Sequence, residues 1–121
     1  YRRVSRRGKR AEVMWTADVN AGDSEDYMDA PAYTVQTMMD KLDHERVDLL
    51  KMDVEGAEYL ILDALKTVKN PPEQLLVEFH HRFPGIGKER TAASIEMLRG
   101  LGYKIFGISE TGREVGFVRE R

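Results

Sequence analysis

The chain contains no cysteine. Disulfide scaffolds, thiolate zinc sites, iron–sulfur clusters and cysteine nucleophiles are therefore all excluded. It has no apolar run approaching the ~20 residues of a membrane-spanning helix, and no hydrophobic signal segment opens it. It also lacks a dominant charge: 19 Lys and Arg against 21 Asp and Glu leave a formal net charge of −2. Neither nucleic acid nor a membrane is the expected partner, and a cytoplasmic location is the expectation. The remaining composition is globular, 41% hydrophobic and 33% charged over 121 residues. A chain of that length can bury roughly 65–70% of its unfolded surface around one core. Its first residue is Tyr1 rather than Met, as expected of a fragment or processed chain.

Charge is unevenly spread. Arg2, Arg3, Arg6, Arg7, Lys9 and Arg10 precede any acid, and Asp18, Asp23, Glu25, Asp26 and Asp29 follow with no Lys or Arg among them. Such blocks can bind anions or partner tails, but a frayed terminus followed by a solvated loop is the simpler expectation. Residues 18–23 loosely resemble an EF-hand loop. Gly and Asp fall in the wrong order, however, so this reads as a turn and not a calcium site. The segment 1–30 is expected to be partly irregular, with residues 11–16 as one candidate strand.

From Pro31 onward the pattern sharpens. Thr34 can cap a helix in which Val35, Met38, Met39 and Leu42 form one buried face. Residues 47–53 (VDLLKMD) are short and apolar, as a buried strand should be. Gly56 opens an amphipathic helix carrying Ala57, Leu60, Ile61, Ala64, Leu65 and Val68, which Asn70, Pro71 and Pro72 stop. Residues 75–79 (LLVEF) form the next strand, and a helix over about residues 91–99 buries Ile95 and Leu98. Residues 103–108 and 115–118 flank Thr111 and Gly112 and predict a closing hairpin. Alternating strands and helices predict an α/β fold with a mostly parallel sheet and one antiparallel strand from that hairpin.

Ligands of open α/β sheets bind outside the carboxyl ends of the strands. Both central strands end in polar residues: Lys51, Asp53, Glu55, Gly56 and Glu58 after one, Glu78, His80, His81 and Arg82 after the other. Carboxylates and imidazoles converging in a cleft can transfer protons or hold a divalent metal. Each residue also has a plainer use. Asp53 or Glu55 can cap the following helix, Gly56 can permit a tight turn, and Glu58 can complement the helix dipole. Lys51 needs a partner such as Asp53 if it is buried mid-strand. His80 and His81 should face opposite ways if the strand continues through them. Residues 85–89 (GIGKE) fail as a phosphate loop, because Glu89 stands where a hydroxyl is required.

Residues 47–58 (VDLLKMDVEGAE), with their K-x-D-x-E-G-x-E run, resemble the central signature of the FkbM family of S-adenosylmethionine-dependent methyltransferases. The resemblance continues through residues 75–83 (LLVEFHHRF), 102–106 (GYKIF) and 114–117 (EVGF), and covers about residues 31–119. It implies a Rossmann-like methyltransferase sheet, here truncated to its C-terminal strands. On that basis 31–121 form the C-terminal half of a methyltransferase domain, following the N-terminal segment 1–30.

The implied function is O-methylation of a hydroxyl group on a sugar or natural product, with S-adenosylmethionine as cofactor and a small-molecule hydroxyl acceptor as partner. Asp53, Glu55 and His80 are the implied catalytic residues. Either His80 or Asp53 would act as base, with Glu55 positioning it. His81, Arg82 and Glu78 would line the substrate side, while Asp53, Glu55 and Gly56 would touch the cofactor. No metal is expected, and reading Asp53, Glu55 and His80 as ligands of a hydrolase metal is weaker. The segment 1–30 departs from the family pattern, since its only glycines are Gly8 and Gly22 and neither follows a buried apolar strand. The Gly-rich cofactor turn is thus lacking. A non-catalytic remnant acting as a binding module is the alternative, dimerising through the exposed strand 47–52.

Overall fold

The computed structural model describes the backbone of residues 2–7, 10–14 and 27–120, and the side chains of residues 31–120. The chain divides into two compact units, Tyr1–Tyr33 and Thr34–Arg121. In the first, β1 (Arg2–Arg7) is the middle strand of an antiparallel sheet, between β2 (Arg10–Met14) and β3 (Tyr27–Ala30). Val4 stands opposite Val13 on one side and Met28 on the other. The expected frayed terminus is therefore ladder-paired strand. Arginine-rich β1 lacks the apolar alternation that marks a strand in sequence, whereas its backbone ladder is indifferent to side-chain polarity. The acids Asp18, Asp23, Glu25 and Asp26 lie outside the described residues.

The second unit opens with α1 (Val35–Leu42), where the Thr34 hydroxyl accepts the Thr37 N–H at 3.1 Å. Its expected apolar face is only partly covered. Met39 is buried, but Met38 is 50% and Leu42 58% exposed. Strand β4 (Leu49–Met52) leads through α2 (Glu58–Ala64), and a tighter turn at Leu65–Thr67, to β5 (Gln74–Glu78). Next come α3 (Lys88–Gly100), β6 (Tyr103–Ile108) and β7 (Glu114–Arg119). Helix α3 starts three residues earlier than its apolar pattern suggests, because Lys88, Glu89 and Arg90 are helix formers that need no burial.

The second sheet has the order β4-β5-β7-β6. Only β4 and β5 pair in parallel; β7 lies between β5 and β6 and is antiparallel to both. The expected mostly parallel sheet is thus a mixed one. The five residues between β6 and β7 are too few for a parallel crossover and suffice for a hairpin. That hairpin closes where expected, with the Gly112 N–H donating to the Ser109 carbonyl at 2.9 Å and the Ser109 N–H donating to the Glu114 carbonyl at 2.9 Å.

One face of this sheet carries the core. Leu75, Val77, Val115 and Phe117 are buried in one cluster with Leu62 and Leu65, from α2 and the turn after it, and with Leu98 of α3. The Phe79 ring lies 5.8 Å from that of Tyr59 and 6.5 Å from that of Phe117. Tyr103 donates its hydroxyl to the Pro72 carbonyl at 2.5 Å, tying β6 to the turn before β5. On the alternate positions Lys51 is exposed and makes no ion pair among the described residues, so the burial that would have required a partner such as Asp53 does not occur. Its charge stays in water and needs no partner. A groove of 480 Å³ crosses these positions over Leu76, Phe106 and Gly116 and reaches Asp53 and Glu78 at its polar end. No helix among the described residues is long and apolar enough to cross a membrane.

Candidate functional site

The polar residues gather where β4 and β5 end side by side. Parallel pairing puts Met52 opposite Val77, so the segments after them emerge together. After Asp53 the chain turns through two left-handed residues, Glu55 at φ 50° and Gly56 at φ 100°. A non-glycine residue held there costs free energy, and such strain concentrates at functional turns. The turn brings Glu55 back toward the end of β5 and starts α2.

Glu58, in the first turn of α2, is completely buried. One carboxylate oxygen accepts the Gly56 N–H at 2.9 Å. The other accepts the His80 backbone N–H at 2.7 Å and faces His80 Nδ1 at 3.2 Å. Because the partner of Nδ1 among the described residues is an acceptor, we assign a ring proton to Nδ1, which in the neutral ring leaves Nε2 with its lone pair. Sequence reasoning took Glu58 for a helix-dipole residue and missed this role. The available signal was a Glu inside the apolar run 57–62 (AEYLIL), since a buried carboxylate must be paired.

His80 is also fully buried, its ring tilted against that of Phe83 with centroids 4.9 Å apart. Its Nε2 lies 3.6 Å from Asp53, 3.7 Å from Glu55 and 3.8 Å from Glu78. The Asp53 and Glu55 side chains are about half exposed, so the cluster is covered on the His80 side and open on the other. Burial first, and the neighbouring Asp53 charge second, push the Glu78 carboxyl above its ordinary value.

The other candidates are placed differently. His81 turns toward α3, where Nδ1 lies 3.4 Å from the Thr91 hydroxyl, which in turn shares a buried hydrogen bond of 2.8 Å with Tyr59. Arg82 lies over the Phe83 ring at 5.3 Å, with Nη2 3.9 Å from Glu78. Thus Asp53, Glu55, Glu78 and His80 come together, Arg82 stands at their margin, and His81 faces Thr91. Gly56 supports the turn: an added Cβ would meet Ile86 at 3.4 Å and Phe83 at 3.7 Å.

A crevice of this type, acidic and with one oriented imidazole, can accept a proton, bind a cation or position a hydroxyl group. The family model for the methyltransferase FkbM domain matches residues 7–105. The chain belongs to the FkbM methyltransferase family. No curated protein and no solved structure matches it. In this FkbM domain the match spans both strand ends that build the cluster, from the Asp53–Glu58 turn to His80 and Arg82.

Proposed function

We infer that this FkbM domain methylates a hydroxyl group of a small molecule, such as a sugar or natural product, using S-adenosylmethionine. The observation that carries this reading is the convergence of Asp53, Glu55 and His80 at the carboxyl ends of two parallel strands in a chain of this family. The donor set suits the cofactor's reactive end, since carboxylates favour a neighbouring sulfonium cation and a lone-pair imidazole favours a hydroxyl that must lose its proton. When bound, the cofactor supplies an electrophilic methyl group.

The chain's own residues have separable tasks. Glu58 holds the Nδ1 proton of His80, so Nε2 is the atom available to take the acceptor's proton. Asp53 is the alternative base, being nearer to solvent. Glu55, held in its left-handed turn, orients the base and the acceptor. Gly56 lets the backbone approach the cofactor closely, while Glu78 and Arg82 line the acceptor side with His81 beyond them. Rate would come mostly from alignment of acceptor oxygen and methyl group, with general base catalysis adding about 10²–10⁴-fold.

Calorimetric titration of the chain with S-adenosylmethionine and its demethylated product tests this. Micromolar binding by the parent, with His80→Ala reducing methyl transfer and leaving cofactor affinity nearly unchanged, is the expected pattern. A folded chain that binds neither compound would end the enzymatic reading. A second reading, a non-catalytic module that dimerises, draws on one observation: β4 pairs only with β5 in its sheet and leaves Leu49 49% exposed. A strictly monomeric species with rapid amide exchange across residues 47–52 would refute that pairing.

A further inference from the structure

Protein groups alone leave the strand-end cluster electrostatically unbalanced. His80 is 0% exposed, and its Nε2 has no hydrogen-bond partner among the described residues. The carboxylate oxygens of Asp53, Glu55 and Glu78 stand around it at 3.6, 3.7 and 3.8 Å, all beyond hydrogen-bond range. As carboxylates all three are acceptors, and in the Nδ1–H tautomer assigned above Nε2 is another. A buried ring nitrogen facing three carboxylates is costly unless positive charge, either a proton on Nε2 or a metal cation, lies between them.

The spacing suits an ion at that point. Imidazole and carboxylate ligands at ~2.0–2.2 Å from a tetrahedral metal lie about 3.4 Å from one another. Ligand atoms of Asp53, Glu55 and His80 all fall within 4.8 Å of one another, and the two half-exposed carboxylates can close the remainder by side-chain rotation. Glu58 adds what metal-bound imidazoles require, a carboxylate on the far ring nitrogen that fixes tautomer and orientation.

We propose that Asp53, Glu55 and His80 form a binding site for a divalent transition-metal ion, with Glu78 as an adjacent oxygen ligand. One imidazole combined with carboxylates suits Mn²⁺ or Zn²⁺. The ion keeps positions open toward the crevice, as in sites that meet a substrate, rather than being enclosed as in a structural site. Its use in catalysis rests on the methyltransferase reading and would take over the role of His80 as base: with Nε2 held by the ion, an acceptor hydroxyl on an open position would release its proton to water more readily. The binding itself does not rest on that reading.

The test is titration of the whole chain with MnCl₂, followed by the electron paramagnetic resonance signal of free Mn²⁺, and with ZnSO₄ by calorimetry. One ion per chain is expected, with Asp53→Asn and Glu55→Gln each weakening binding by about tenfold or more. Both positions are half exposed, so these variants keep the fold, and circular dichroism verifies it. His80→Ala should abolish binding. Absence of Mn²⁺ and Zn²⁺ binding at millimolar concentration overturns the site. Undiminished affinity in the Asp53→Asn and Glu55→Gln variants also overturns it and moves the ion elsewhere, for instance to the acids between residues 18 and 29. S-Adenosylmethionine titration in the presence of a chelator separates the two readings. Ion binding without cofactor binding keeps this site and removes the methyltransferase reading; cofactor binding without ion binding does the reverse.

Discussion

Replacing Glu58 by Gln removes one acceptor oxygen and changes almost nothing in volume. The carboxylate serves three donors, Gly56 N–H, His80 N–H and His80 Nδ1–H, at 2.9, 2.7 and 3.2 Å. A glutamine has one oxygen, which best serves the two His80 donors. Its amide nitrogen then points at the part-buried Gly56 N–H, donor against donor. Losing one charge-assisted hydrogen bond and leaving a part-buried N–H facing another donor costs about 1.5–3 kcal/mol. That is a large share of the ~5–15 kcal/mol that holds a typical domain together. Urea unfolding followed by far-ultraviolet circular dichroism reads this directly. With a slope of about 1–3 kcal/mol/M, the midpoint should fall by roughly 1 M while the slope stays unchanged. The Gly56 amide should also exchange faster. A midpoint within about 0.2 M of the parent would refute the assignment of Glu58 as the buried acceptor joining α2 to the end of β5.

Further outcomes follow from the same geometry. Burial pushes the Tyr103 phenol up to about 12 from its ordinary 10.0, so the folded state keeps a proton that the unfolded state releases between those values. Stability should therefore fall as pH rises from 10 toward 12 and be unaffected by this group below 10. Tyr103→Phe should flatten that alkaline slope, at the cost of about 1–3 kcal/mol near neutrality for the orphaned Pro72 carbonyl; an unchanged slope in alkaline urea titrations would count against it. Gly56→Ala places a Cβ at φ 100° and should lose about 1–2 kcal/mol, chiefly from backbone strain, since its nearest contacts, at 3.4 and 3.7 Å, are ordinary van der Waals distances; a neutral effect in thermal unfolding would mean the turn can relax. Thr34→Ala removes the α1 cap and should lose about 1 kcal/mol; a cap already satisfied by solvent would show no change in urea midpoint.

Much of the second unit was legible because its signals are local. Thr34 caps α1 as its residue type predicts, and the closing hairpin turns at Thr111 and Gly112. The strands at 47–53 and 75–79 could be read from apolar runs bounded by breakers, which also located Asp53, Glu55 and His80 at strand ends. The absence of cysteine settled the excluded chemistries outright. Length and alternation settled the α/β class.

Tertiary structure decided what local pattern does not encode. Apolar spacing marked Met38 and Leu42 as core residues, yet a helical stripe becomes core only where another element covers it, and these two stay exposed. The insertion of β7 between β5 and β6 depends on strand pairing across more than thirty residues of sequence. The arginines of β1 hid a strand whose ladder is formed by backbone groups common to every residue. His80 and His81 are neighbours in sequence, but one meets Glu58 and the other Thr91, and since β5 ends at Glu78 the alternation of a strand does not decide where either points. Glu58 shows the difference best. Its position in the first turn of a helix was plain from the sequence, whereas its pairing with a histidine 22 residues away exists only once two parallel strands end side by side.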